Sequence, residues 1–372
     1  MNTPPRISHL ASPLVGEASN SEIALKAPTP LPGPPPQDGR EPAQRAGGFE
    51  QTKEMKKKRD VHGWIVLDKP VGMSSTHAVA VIKRLFGAKR VGHAGTLDPL
   101  ASGCLPIALG EATKTVPFVV DGRKSYLFTI RWGEERDTDD GEGRVVESSA
   151  LRPDPDSIRA LLPRFTGTIE QVPPRFSAVK IAGERAYDLA REGETVELKP
   201  RTVAVYRLDL LQTPDPDHVE LLAECGKGTY VRALARDLGR ALGALGHVTA
   251  LRRSRVGPFG EGEMISLEQI EALCHRAAAG EPNQSLADVL LPIETALDDI
   301  PALAVSPADA ARLRRGQAAL LRGRDASNFR GTVAVVCGGE IVAIAETDRG
   351  EIVPRRVFNL TGIVGRAGGK VK

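Results

Sequence analysis

One carboxylate, Asp98, has the neighbours that would hold it ready for chemistry. It lies in the run Gly92-His93-Ala94-Gly95-Thr96-Leu97-Asp98-Pro99-Leu100-Ala101-Ser102-Gly103. Pro99 biases Asp98 away from helical geometry and keeps it extended, while Gly95 and Gly103 permit tight turns on either side. A carboxylate held out on a stiff loop can act as nucleophile or general base. An aspartate in a loop can equally be a turn or cap residue, and the loop alone leaves both roles open.

Other runs come close to known chemistry and then depart from it. Gly226-Lys227-Gly228-Thr229 has the outline of a phosphate loop, but glycine follows the lysine and the required upstream glycine is missing. Asp137-Thr138-Asp139-Asp140-Gly141-Glu142 has the outline of a calcium loop, yet Gly141 fills the fifth position, where an oxygen ligand is needed. A solvated acidic turn is the expected state there. Cys104, Cys225, Cys274 and Cys337 are far apart and form no C-x-x-C pair. That spacing predicts a reduced, cytoplasmic protein without a disulfide or zinc framework. No H-E-x-x-H run or Ser–His–Asp order occurs. No apolar stretch approaches the roughly 18 residues of a membrane span, and the N-terminus lacks the apolar core of a secretory signal. The expectation is a chain with no metal, no cofactor and no membrane segment.

The elements that must position Asp98 can be read along the chain. With 372 residues and 41% hydrophobic content, there is room for two domains. The net charge of +3 permits an acidic partner without demanding one. Basic residues cluster at Lys56-Lys57-Lys58-Arg59, at Arg252, Arg253 and Arg255, and at Arg312, Arg314 and Arg315; such clusters are solvated faces or nucleic-acid contacts. Residues 1–60, rich in proline and ending in the basic run, predict a disordered tail. Trp64-Ile65-Val66-Leu67, stopped by Asp68-Lys69-Pro70, suits a buried strand. Ser74, Ser75 and Thr76 offer caps to a helix with Val79, Ile82 and Phe86 on one face.

Tyr126, Phe128, Ile130 and Trp132 share one face of a strand by period-two alternation. Strand-like runs recur at 203–211 and 219–225. A helix follows residue 229, with Tyr230, Leu234 and Leu238 on one side and Arg232, Arg236 and Arg240 on another. This irregular interleaving indicates an α+β fold with a largely antiparallel sheet. Residues 276–285 read as a low-complexity linker. Beyond residue 303, a short helix at 307–315 and strands at 332–336 and 341–345 about Gly338-Gly339 predict a small β-rich unit.

The run at 92–103 resembles the active-site signature of the TruB family of tRNA pseudouridine synthases. Leu67-Asp68-Lys69-Pro70-Val71-Gly72-Met73-Ser74-Ser75 is similar to that family's first block. Lys124-Ser125-Tyr126 and Thr138-Asp139 resemble its second, and Pro173-Pro174 through Ser177-Ala178-Val179-Lys180 its third. Gly228-Thr229-Tyr230-Val231-Arg232 and Leu251-Arg252-Arg253 through Val256-Gly257-Pro258-Phe259 complete the pattern. Order and spacing agree over residues 63–259. Ser102 stands where threonine is common in the family, and the N-terminal tail is not part of the pattern.

The resemblance implies a pseudouridine synthase catalytic domain over 61–297, with helices flanking a mixed, mainly antiparallel sheet. It also implies a small PUA-like RNA-binding domain over 298–368. The implied activity is isomerisation of uridine 55 in the T-loop of tRNA by a cytoplasmic monomer without cofactor. Asp98 would attack ribose C1′, or act as a base that generates a glycal, after the nucleotide is flipped from its stack. Arg232 would orient Asp98 and depress its pKa. Tyr126 would stack on the base, with Leu251 closing the pocket and Tyr230 beside it. His93 would fill the vacated space, and Lys69, Lys180 and Arg253 would make phosphate or loop contacts. The β-rich unit would grip the acceptor end. Three rival readings are a guide-RNA-dependent relative of dyskerin, an RNA-binding or RNA-folding protein on the same scaffold, and a metal-dependent hydrolase using Asp98 and the acidic turn.

Overall fold

The structure, a computed structural model, describes residues 58–177, 198–279, 286–322 and 330–365, with the backbone alone at 180–181 and 184–185. The expectation of a disordered tail over 1–60 falls outside the described residues, apart from its last three.

Ten strands form one sheet. Its path runs Met264–Ile265, Val61–Lys69, Ser102–Leu109, Gly246–Val256, Lys124–Trp132, His218–Cys225, Arg201–Asp215 and Gly167–Gln171. Val91–His93 pairs beside Ser102–Leu109, and Ile363–Val364 beside Val61–Lys69. Val61–Lys69 runs parallel to Met264–Ile265 and Ile363–Val364, and Gly246–Val256 runs parallel to Ser102–Leu109. The remaining pairings are antiparallel, so the sheet is mixed and mainly antiparallel, as the sequence indicates.

Alternation decides which face of this sheet is buried. Phe128, Ile130 and Trp132 are buried together with Val219, Leu221, Val248 and Leu251 from the neighbouring strands. Helix Val231–Ala241 lays Leu234 and Leu238 into the same core. Each such side chain contributes roughly 1.5–3 kcal/mol on burial, which fixes the height of the helix over the sheet. Gly239 allows the approach: a Cβ there would lie 2.5 Å from the Gly246 backbone nitrogen. The consequence is positional, because the first turn of this helix carries Arg232.

Helix Ser75–Phe86 begins at Ser74, whose side chain accepts from the His77 N–H, and ends at the left-handed Gly87. Its buried face is Ala78, Val81, Ile82 and Phe86, so Val79, expected on that face, sits at its half-buried margin. The linker expected over 276–285 is corrected in part. Helix Leu267–Ala279 runs through its first residues because Ile270 is buried and Leu267, Leu273, Cys274 and Ala277 pack against the main core. The alanine-rich end simply extends that helix, alanine being the best helix former.

A second, five-stranded sheet has the order Ala302–Ala304, Gly331–Cys337, Glu340–Asp348, Glu351–Val357, Ala319–Leu320. Helix Pro307–Arg314, capped by Ser306, sets Ala310 and Leu313 against Val333, Val335, Val342 and Ile352. Ala334, Ile341, Ile344 and Phe358 share a core cluster with Trp64 and Phe259 of the larger sheet. Ile363–Val364 then returns to pair with Val61 and His62. The two sheets are thus joined by apolar packing as well as by the chain.

Candidate active site

Asp98 is held by its loop before any partner is considered. Ser75 Oγ accepts from the Leu97 N–H at 2.8 Å and donates to the Leu97 carbonyl at 2.9 Å, replacing a strand neighbour. The Asp98 carbonyl accepts from the Ala101 N–H at 3.1 Å, and the Pro99 carbonyl from the Gly72 N–H at 2.7 Å. Gly103 has φ +98, and a Cβ there would lie 2.3 Å from the Arg253 carbonyl. Only glycine fits that backbone and that approach.

Buried cations brace the loop from beneath. Arg253, 2% exposed, donates to the carbonyls of Cys104 (2.8 Å), Thr96 (3.2 Å) and Gly95 (3.1 Å). Lys69, fully buried, spends its three protons on the carbonyls of Met73 (2.8 Å), Pro70 (2.9 Å) and Pro99 (3.4 Å). Burial lowers its pKa to about 8. Of the phosphate or loop contacts expected of these two residues, the structure shows those to the protein's own loop.

Arg232 supplies the ion pair expected for Asp98. Its Nε lies 2.9 Å from Asp98 Oδ2, with the aspartate side chain one-third exposed and the arginine nearly buried. Nη1 donates to the Thr138 carbonyl at 2.8 Å and lies 3.3 Å from Asp140 Oδ2. Nη2 donates to the Phe176 carbonyl at 3.0 Å. Every guanidinium nitrogen is thus committed, so the plane that meets Asp98 is set by the 138–140 turn. Arg232 is not on a solvated helix face, and the acidic turn is not a solvated one. Asp139 and Asp140 are buried, and Asp139 pairs with Arg236 at 2.8 Å. Burial outweighs that arginine and pushes the Asp139 carboxyl up to about 6.

A cavity of about 250 Å³ opens beside the carboxylate. Asp98, Tyr126, Tyr230, Arg232, Leu251 and Arg253 all line it, which brings together six of the nine residues singled out from the sequence. Burial pushes the Tyr126 phenol up to about 12 against the opposing charge of Arg253. At neutral pH this ring is a neutral donor and an apolar face. Tyr230 caps helix Val231–Ala241, and the buried Gln171 amide clamps it, accepting from its N–H (2.9 Å) and donating to its carbonyl (3.1 Å). A second cavity, about 420 Å³, lies on the other side of Asp98 between Ser74, Leu100, Thr138 and Phe176. The carboxylate lines both cavities, an arrangement suited to a planar ring in one and its chain in the other.

His93 lies on strand Val91–His93, opposite Ile107, and lines neither cavity. Lys180 lies on a short ribbon, paired with Arg185, and its side chain lies outside the described residues. Sequence reasoning gave no role to Gln171 or Lys124, and read Ser75 only as a helix cap and Asp140 only as part of an acidic turn. Ser75, Lys124 and their neighbours were visible as motif members. Gln171 gave no signal beyond a polar residue at the end of a strand. Among the described residues, no group of three or more His, Cys, Asp or Glu side chains is arranged to hold a metal ion.

Known proteins resemble this chain over most of its length. Residues 83–231 match the family described as TruB family pseudouridylate synthase, N-terminal domain. Residues 232–298 match the tRNA pseudouridylate synthase B C-terminal domain. A Bradyrhizobium diazoefficiens protein named tRNA pseudouridine synthase B is 70% identical over 311 residues, 84% of this chain and 90% of that one. The chain belongs to the TruB family. Another TruB relative, from Agrobacterium fabrum and of the same name, is 55% identical over 302 residues, 81% of this chain and 96% of the other. Among solved structures, an H/ACA RNP bound to a substrate RNA containing 2′-deoxyuridine is similar at TM-score 0.62 and 25% identity. That match covers 80% of this chain and 85% of the other. A Cbf5-Nop10-Gar1 complex matches at TM-score 0.61 and 26% identity, over 82% and 86%.

Proposed function

We propose that this chain isomerises a uridine of tRNA to pseudouridine, at position 55 of the T-loop, with Asp98 as the reacting carboxylate and no cofactor. The observation that carries the reading is the Arg232-paired Asp98 at the mouth of a cavity walled by Tyr126, Tyr230 and Leu251. A uridine flipped from its stack would place its ring against Tyr126 and its ribose C1′ toward Asp98, unstacking being offset by stacking and phosphate contacts. The C1′–N1 bond breaks, by attack of Asp98 at C1′ or through a glycal. The uracil turns, C5 bonds to C1′ as Asp98 leaves it (or as the glycal takes back its 2′ proton), the C5 proton goes to solvent, and N1 takes up a proton in exchange. Atoms balance without oxidant or external nucleophile. Asp98 reacts as the carboxylate, which Arg232 Nε holds in place at 2.9 Å.

His93 is assigned to the space that the flipped nucleotide vacates, and Lys180 to a phosphate or loop contact with the RNA. The catalytic unit is taken as 61–297, and the unit at 298–368, PUA-like in its small sheet, is assigned to the acceptor end. The protein is read as a cytoplasmic monomer. The names of the relatives favour tRNA over a guide-dependent substrate, since those at 55–70% identity are called tRNA pseudouridine synthase B.

The test is tritium release from C5-labelled uridine in a bare tRNA transcript, without guide RNA and under chelator. The parent should release label. Asp98→Ala should fall by more than about 10⁴-fold while still binding tRNA, as loss of a reacting group does. Binding without release by the parent would move the reading to a guide-dependent or RNA-folding role, and release that stops with chelator would restore a metal-dependent one.

A further inference from the structure

Outside the cavity, on the far side of one of its walls, an aromatic ring and an arginine are stacked in the open. Tyr206 is 48% exposed on strand Arg201–Asp215. The Arg123 guanidinium carbon lies 4.2 Å from its ring centroid. Tyr206 is also the extra residue of a bulge: Val205 pairs with Cys225 and Arg207 with Glu224, leaving Tyr206 without an opposite number. Bulges re-aim a side chain and recur beside active sites. Arg123 is exposed and forms no ion pair among the described residues, whereas nearby Lys227 is neutralised by Asp121 at 2.9 Å.

Both partners adjoin the catalytic hollow. Arg123 immediately precedes Lys124, and the 226–230 segment forms the facing wall of the cavity. A Cβ built on Gly226 would lie 3.6 Å from the Tyr206 hydroxyl. An aromatic stacked with an unneutralised guanidinium makes a rigid, flat, cationic surface. Unstacked bases of RNA loops are received on surfaces of this kind.

We propose that the Tyr206–Arg123 stack is a docking platform for a nucleobase flanking the target uridine, Arg123 also meeting the adjacent phosphate. The proposal rests on the RNA-modifying function argued above and adds a second subsite to it. The platform binds without touching the reacting atoms, so it governs KM and leaves kcat nearly intact.

The experiment measures pseudouridine formation on a tRNA transcript by the parent, Tyr206→Phe, Tyr206→Ala and Arg123→Ala. Tyr206→Ala and Arg123→Ala should raise KM on the order of tenfold, as loss of one stacked base does, with kcat within about twofold. Tyr206→Phe, which keeps the ring, should behave as the parent. In parallel, transcripts carrying 5-iodouridine singly at the positions flanking the target are irradiated with the parent protein. An adduct on the peptide containing Tyr206 is expected. Unchanged KM in both alanine variants, or flanking adducts that map only elsewhere, overturns the platform. If Tyr206→Ala fails to fold, Arg123→Ala and the photo-adduct decide the matter. An inactive parent would instead overturn the function on which the platform rests.

Discussion

Two sets of cations flank Asp98, and they are compensated in opposite ways. On helix Val231–Ala241, Arg232, Arg236 and Arg240 meet carboxylates: Asp98 and Asp140, then Asp139, then Glu135. Beneath the loop, Arg253 and Lys69 meet backbone carbonyls, as Lys124 in the cavity wall meets those of Val120 and Gly122, with no carboxylate at ion-pair distance among the described residues. The helix set is nearly neutral and orients side chains. The loop set keeps its positive charge and shapes backbone. Carbonyl dipoles can hold a cation in place without cancelling its field, so this region stays positive where an anionic chain must approach. Rigidity and attraction come from the same residues.

The largest effect should come from the loop set. Arg253→Met leaves three carbonyls of the Asp98 segment without a donor. Each unsatisfied buried group costs about 1–3 kcal/mol, so a loss of roughly 4 kcal/mol or more is expected in denaturant unfolding. Arg253→Lys should recover little, since one ammonium cannot span three acceptors in that fork. Near-native stability in Arg253→Met would show that the loop holds itself.

The helix set should respond differently. Asp139→Ala leaves buried Arg236 with only the more exposed Asp237, at 2.8 Å, as its acid and should cost up to about 3 kcal/mol. Replacing both partners with apolar residues, as in Asp139→Leu with Arg236→Leu, should recover most of that loss, because a buried pair is near break-even against good packing. If the double variant is no better than the single, the pair does more than neutralise itself. Arg232 would be the first place to look, since the Thr138 carbonyl it uses belongs to the same turn.

The sequence was informative where periodicity or turn chemistry acts locally. The face carrying Phe128, Ile130 and Trp132, the cap at Ser74, and the turn at Gly338-Gly339 needed no tertiary knowledge. The compensation of charge was not legible. Arg232, Arg236 and Arg240 at four-residue spacing look like a solvated stripe until the Asp137–Gly141 turn folds over them. Arg253 and Lys69 look like surface charge until strands 61–69, 102–109 and 246–256 are aligned. Burial of a charge depends on what other segments bring, and a single sequence does not show that. The residue types at the site were recovered mainly through the family resemblance, whose blocks carry the tertiary information that local pattern lacks.

The pH dependence of stability separates the two sets again. Lys69 and Lys124 are both lowered to about 8 by burial, from 10.5. Above pH 8 the folded chain has begun to release protons that the unfolded chain still holds, so stability rises with pH. The clean window is pH 8 to 9, below the ordinary value of 9.0 for Cys104 and Cys225, whose raised pKa values reverse the sign. Lys69→Met should flatten the rise across that window by up to about 1 kcal/mol. Asp139, raised from 3.8 to about 6, has the opposite slope. Between those values the folded chain keeps a proton that the unfolded chain has lost, so its contribution falls as pH rises. Asp139→Asn should remove that fall.

The smallest effect belongs to the outer end of the ladder. Arg240 makes a two-point pair with Glu135, at 2.7 and 2.6 Å, and raises no geometric objection to being strong. Its side chain is nonetheless 55% exposed. Glu135 is 10% exposed, but water and salt reach the pair from the open arginine side and hold it near the roughly 0.2–1 kcal/mol of exposed pairs. Arg240→Ala should therefore cost less than about 1 kcal/mol, with turnover on tRNA within about twofold of the parent. The value of this variant lies in what a larger effect would mean. Stability near that of the parent combined with a tenfold fall in kcat would make the three arginines one lever, transmitting the position of strand Glu134–Arg136 through the turn to Asp98. A fall in neither places the boundary of the catalytic machinery between Arg236 and Arg240.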